Sequence, residues 1–154
     1  MERLLKQEIE LELDFFSNKD AFKLGQIVVD LVEKKYNENP VAISIEKNRS
    51  KIFYYKTDGA RNDFDFWIEG KKNCVDRFGH SSLYLKEYSE SKKYDFYEKY
   101  NLDKKYYRLD GGSFPIILKK TGVIGSISIS GIGSLEDHSL CVEALQLFKN
   151  LKNN

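Results

Sequence analysis

The run "SGIGSLEDH", residues 130–138, sets Glu136, Asp137 and His138 just past two glycines. Carboxylates in the first turn of a helix suit the positive end of its dipole. Ser134 and Asp137 have the spacing of a capping box, with the shorter Asp in place of Glu. The cap accounts for Ser134 and the acids and leaves Gly131, Gly133 and His138 unexplained. Glycines permit close backbone approach, and free N–H groups at a helix start can hold an anion. An imidazole beside them can donate or accept a hydrogen bond near neutral pH. The sharper expectation is therefore a polar pocket in which Asp137 caps and His138 faces the ligand.

"GGSFPI", residues 111–116, poses a similar choice. Gly111 and Gly112 either start a strand tightly or form a ligand-lining loop with Phe114 and Pro115. A proline within a strand implies an edge or a position whose N–H is not needed. Phe64 and Trp67 recur at helical spacing and serve either the core or a ring-stacking platform. Arg61, Lys71 and Arg77 are candidate partners for carboxylates. His80 follows a glycine and reads as a surface or cap residue. No Ser, Cys or Lys has a neighbouring base that marks it as an activated nucleophile. "GIGSLE" lacks the last glycine of a dinucleotide fingerprint and the lysine of a phosphate loop. Two cysteines and two histidines without close spacing make no zinc site.

These residues need elements to position them. Leu4, Leu5, Ile9 and Leu13 predict an N-terminal helix over 2–13. Ala21, Leu24, Ile27, Val28, Leu31 and Val32 predict a second, capped by Ser17 or Asn18 and stopped by "NENP". "VAISIEKN" and "SKIFYYKT" predict two strands joined as a hairpin. Phe64, Trp67, Ile68, Lys71, Cys74, Val75 and Phe78 predict a helix ended by Gly79. One or two short helices are expected in the Tyr- and Lys-rich 81–108. Strands follow at 113–118 and 123–130, expected to be central. In the closing helix Leu135, Leu140, Cys141, Ala144, Leu145 and Phe148 are expected to face inward. The order predicts one α+β domain over 1–154, profilin-like or PAS-like, with an antiparallel sheet of about five strands and flanking helices.

The 154 residues suffice for a core without metals or disulfides. Twenty-five basic and 24 acidic side chains give a formal charge of +1, which argues against a nucleic-acid or membrane surface. The lysine pairs at 92–93, 104–105 and 119–120 read as solvated. "MERLLKQEIELELDFF" lacks the apolar region of a signal peptide, and no apolar run reaches membrane-spanning length. Cys74 and Cys141 are expected to be buried free thiols in a reducing cytoplasm.

"GGSFPI…GVIGSISISG…EDH" resembles the haem-degrading-domain family, also called GlcG-like or HbpS-like. "RNDFDFWIEGKKNCVDRFGHSS" resembles one uncharacterised branch of it, through Asn62, Trp67, Lys71, Val75, Arg77, Phe78, Ser81 and Ser82. "DAFKLGQIVVDL" fits the same branch through Ala21 and Gly25. The likeness spans roughly residues 10 to 150. It implies an α/β sandwich-like fold, a homo-oligomer and, in some relatives, a haem ligand. His138 matches the branch rather than the haem binders, so no iron-ligand role carries over to it. The expected ligand-binding set is Asn62, Trp67, Lys71, Gly111, Gly112, Phe114, Pro115, Glu136, Asp137 and His138. Two functions compete: a binder of a small molecule or tetrapyrrole, for which the resemblance implies haem binding or haem degradation, and a non-catalytic assembly or adaptor protein. In either, the N-terminal helix, residues 1–14, is the element expected at a subunit contact.

Overall fold

The computed structural model describes residues 1–37 and 39–153; Glu38, within "NENP", and Asn154 lie outside the described residues. In chain order the elements are α1 (Glu2–Glu10), α2 (Asn18–Lys35), β1 (Ala42–Lys47), β2 (Ser50–Lys56), α3 (Asp63–Phe78), α4 (Ser82–Ser91), α5 (Phe96–Lys99), β3 (Ser113–Leu118), β4 (Gly122–Ser130) and α6 (Ser134–Lys152). The strands form one antiparallel sheet in the order β2-β1-β4-β3.

The sheet has four strands rather than about five. The nearest thing to a fifth is Leu13, which forms a single parallel bridge to Leu118 on the outer edge of β3. β4 is central as expected, but β3 lies at the edge. Pro115 explains the placement, because it has no N–H for a second neighbour.

Residue alternation along β4 sends Ile127 and Ile129 to one face and Ser126, Ser128 and Ser130 to the other. The isoleucines join Ile43, Ile45, Phe114 and Ile116 in a core closed by α2 and α6. Each such side chain, fully buried, contributes about 1.5–3 kcal/mol. On the serine face lies α3, with α4 beside it. Ser17 and Asp20 cap α2 reciprocally, its side chain accepting from the Asp20 N–H at 3.1 Å. Gly79 ends α3 at φ 74°, where an L side chain is strained. A second, smaller cluster of Cys74, Leu85, Phe96 and Leu102 holds the tyrosine-rich segment against α3. Both cysteines are free and buried.

Two expected apolar stripes are altered. Ile9 and Leu135 are exposed, while Glu8 is buried in α1. Glu8 is inside because it works as a cap: its Oε1 accepts from the Ser81 N–H ahead of α4 at 2.8 Å. α1 ends at Glu10, short of Leu13, which is drawn to the sheet edge instead.

Candidate functional site

Lys71 sits in the apolar stripe of α3 and is 2% exposed. An ammonium taken out of water must fill its donors with fixed acceptors. Nζ donates to Ile129 O at 2.6 Å and to Gly111 O at 3.2 Å, and lies 3.6 Å from Asp137 Oδ2. One side chain thus ties α3 to the end of β4, to the glycine pair before β3 and to α6. Gly112 adopts φ 125°, and a Cβ there would fall on the Lys71 ammonium and against Asp137. Only glycine leaves room for this pair.

Asp137 is also buried, and its Oδ1 accepts from the Ile132 N–H at 3.1 Å. Burial pulls Lys71 below the usual lysine range and pushes Asp137 above the usual carboxylate range. Their mutual attraction opposes both shifts. The Ile132 N–H, with the nearby Gly133 and Gly131 N–H groups, further favours the Asp137 anion.

The expected capping box is not formed. Gly133 is the N-cap of α6, and Ser134 is its first helical residue, without a side-chain cap bond. Ser134 Oγ instead accepts from the Gly111 N–H at 2.8 Å, while Asp137 holds the loop ahead of the helix. The Ser134 bond is thus tertiary, while the Asp137 bond stays local.

Above the ion pair a pocket of about 190 Å³ opens to solvent. Its walls are Arg61, Phe64 and Trp67 of the α3 side, Asp110, and the loop from Ser130 to Ser134. Arg61 lies 5.3 Å from the Phe64 ring centroid, and Arg108 lies 4.5 Å from that of Trp67. Asp110 is held by Lys86 at 3.1 Å and sits below the usual carboxylate range; burial opposes the hydrogen bonds from Ser134 and Lys86 that lower it. Aromatic faces beside cations and backbone donors can seat a small molecule with a flat part and polar groups.

Of the expected ligand-binding residues, Trp67, Lys71 and Asp137 line this pocket. Gly111 and Gly112 support it from behind. Glu136 is exposed beside Gly133. Asn62 lies at the rim before α3, accepting from Lys56 Nζ at 3.1 Å. Phe114 and Pro115 are buried in β3 away from the pocket.

The ligand-facing placement of His138 is corrected. The ring is 3% exposed, edge-on to Phe114 at 5.7 Å between centroids, with Nε2 2.8 Å from Gln7 Oε1 of α1. Helical periodicity is the reason: one position past Asp137, the side chain turns toward α1 and β3. Burial first, and the Arg3 charge second, depress its pKa to about 4. His80 lies beyond the pocket, its Nδ1 2.8 Å from Glu8 Oε2, which raises its pKa.

Sequence reasoning passed over Asp110, which no motif singles out. For Lys71 a signal was present: a lysine at a core position of an apolar stripe must be buried or break the stripe.

Residues 16–146 match the family described as haem-degrading protein HbpS-like. A UPF0303 protein of Psychromonas ingrahamii is 36% identical over 155 aligned residues, covering 100% of this chain and 96% of the relative. The crystal structure of Ybr137w protein superposes with a TM-score of 0.92 at 33% identity, covering 99% of this chain and 89% of that one. A PduOC–haem complex shares the fold, with a TM-score of 0.71 at 16% identity over 87% of this chain and 94% of that one.

Proposed function

We propose, for a chain that belongs to the HbpS-like family of haem-degrading proteins, that the α3–α6 pocket binds a small polar organic molecule. The observation that carries this reading is the Lys71–Asp137 pair beneath the pocket. Burying two charges costs several kcal/mol per ion, so such a pair adds little stability over apolar packing. Groups of this kind cluster at functional sites. Here the pair sets the glycine turn and the α6 start in place, while Trp67, Phe64 and Arg61 meet the ligand.

The pocket does not fit haem. Among the described residues its lining has no His, Cys, Met or Tyr to ligate iron. Its volume, about 190 Å³, is below the roughly 300–1,000 Å³ of pockets that enclose drug-sized ligands. No haem chemistry is therefore assigned to this pocket.

Trp67 is the only tryptophan in the chain, so its fluorescence reports on the pocket directly. A screen of small polar fragments should give compounds that shift Trp67 emission saturably. Phe64→Ala or Arg61→Ala should weaken those compounds. Hemin titration should give no saturable Soret shift that depends on these residues. A stoichiometric Soret shift abolished by Arg61→Ala, or a screen with no saturable compound, would overturn the proposal.

A second reading, assembly as a homo-oligomer, is favoured by the exposed Phe15, Phe22 and Phe66. Two free thiols suit a reducing, cytoplasmic setting. Among the described residues no helix is long and apolar enough to cross a membrane.

A further inference from the structure

A larger groove lies on the other end of α3. Its space is about 630 Å³, and an adjoining one of about 270 Å³ shares Arg49 and Asp76 with it. We propose that this groove binds a small aromatic anion, its acidic group held between Arg49 and Arg77 and its ring against Tyr106 and Tyr107.

The charges are arranged for such a guest. Lys72, at the floor, is buried and collects the nearby acids: Glu46 at 3.2 Å, Asp76 at 3.3 Å and Glu69 at 3.6 Å. Arg49 and Arg77 line the same groove, and among the described residues neither has a carboxylate within 4.0 Å. The acids are occupied inward, and two guanidinium groups are left outward. A planar guanidinium fork matches the oxygens of phosphate or carboxylate.

The turn that carries Arg49 supplies an independent observation. Asn48 and Arg49 link β1 to β2 at φ 52° and 64°. Both residues of this two-residue hairpin are left-handed, and glycine is the favoured second residue of such a turn. An arginine held there against backbone preference points to a role for its side chain.

The walls are fixed rather than loose. Asn73 Nδ2 donates to Tyr106 O at 2.8 Å, which pins the tyrosine segment to α3. The Arg77 guanidinium is 5.8 Å from the Tyr107 ring centroid and 5.6 Å from that of Phe78, so aromatic faces orient it. Glu46 sits where the β1–β2 register shifts, and such irregularities re-aim side chains. It reaches Lys72 and anchors the groove floor to the sheet.

Phenyl phosphate, benzoate and inorganic phosphate are the probes, titrated into the full chain by calorimetry at low and high salt. Phenyl phosphate should bind saturably, more tightly than inorganic phosphate, and weaken as salt rises. Arg49→Gly should reduce its affinity at least about tenfold while the thermal midpoint holds or rises, because glycine suits the turn. Arg77→Gln should lose affinity to a similar degree. Trp67→Ala should leave binding unchanged, which separates this groove from the α3–α6 pocket. Absence of saturable phenyl phosphate binding, equal affinity for inorganic phosphate, or affinity retained by Arg49→Gly and Arg77→Gln would each overturn the proposal.

Discussion

His138 shows how one buried ring sets a pH dependence. Among the described residues its Nδ1 has no partner and its Nε2 meets Gln7, so the neutral ring with hydrogen on Nε2 satisfies one nitrogen. Protonation would put a charge among Phe114, Gln7 and the Arg3 guanidinium, with Glu87 partly offsetting it. The folded pKa of about 4 lies below the ordinary histidine value near 6.5. Between these values the unfolded chain binds more protons than the folded one, so stability is full above about pH 6.5 and falls toward pH 4, by at most about 3 kcal/mol. His80 acts in the opposite sense, because Glu8 raises its pKa. Its contribution is full below the usual histidine range and is lost as pH rises through the raised value. Urea midpoints at pH 7 and pH 5 should show wild type clearly weaker at pH 5. His138→Gln should be less stable at pH 7 but should flatten that difference. An unchanged difference in the variant would assign the slope to other groups.

Among elements, α1 is held differently from the rest. Leu4 and Glu8 are its buried residues. Its ties to the body are largely polar: Arg3 to Glu87 at 3.0 Å, Glu8 to Ser81 and His80, and Gln7 to His138. Exposed ion pairs of the Arg3–Glu87 kind contribute about 0–1 kcal/mol. α2, by contrast, has six buried positions and a reciprocal capping box. Local opening follows burial, so α1 amides should exchange hydrogen well before those of α2. Equal protection in the two helices would mean that the polar ties act cooperatively. α1 also lies outside the matched family region, residues 16–146, and the sheet and its helices form a core without it.

For the whole molecule, assembly is the open property with the plainest readout. Phe22 packs edge-on to Phe53, and both it and Phe66 stay exposed near β2, an edge strand of the sheet. Exposed aromatic groups beside a free sheet edge favour association. Light scattering at micromolar concentration should give a mass well above 18 kDa; a monomer would remove the assembly reading and leave the pocket reading untouched. The same scale shows where the chain's order of residues was enough. Local signals decide local outcomes: Ser17 with Asp20 caps α2, Gly79 ends α3, and the Ile/Ser alternation of 126–130 makes a strand with two distinct faces. The helix-and-strand order then leads to an α+β domain with an antiparallel sheet. Pro115 offered an edge position for β3 as one reading, yet the strand was expected to be central and lies at the edge. The candidate site was legible only in part, through Trp67, Lys71, the 111–112 glycines and Asp137. Its geometry depends on groups far apart in the chain, since Lys71 must reach Gly111, Ile129 and Asp137 at once. Whether Asp137 caps its own helix or pairs with a lysine, and whether His138 meets ligand or core, turns on which element fills the adjacent space. Periodicity says which residues share a face. Only the packed structure decides what that face meets, because burial and pairing energies arise between elements and not along the chain.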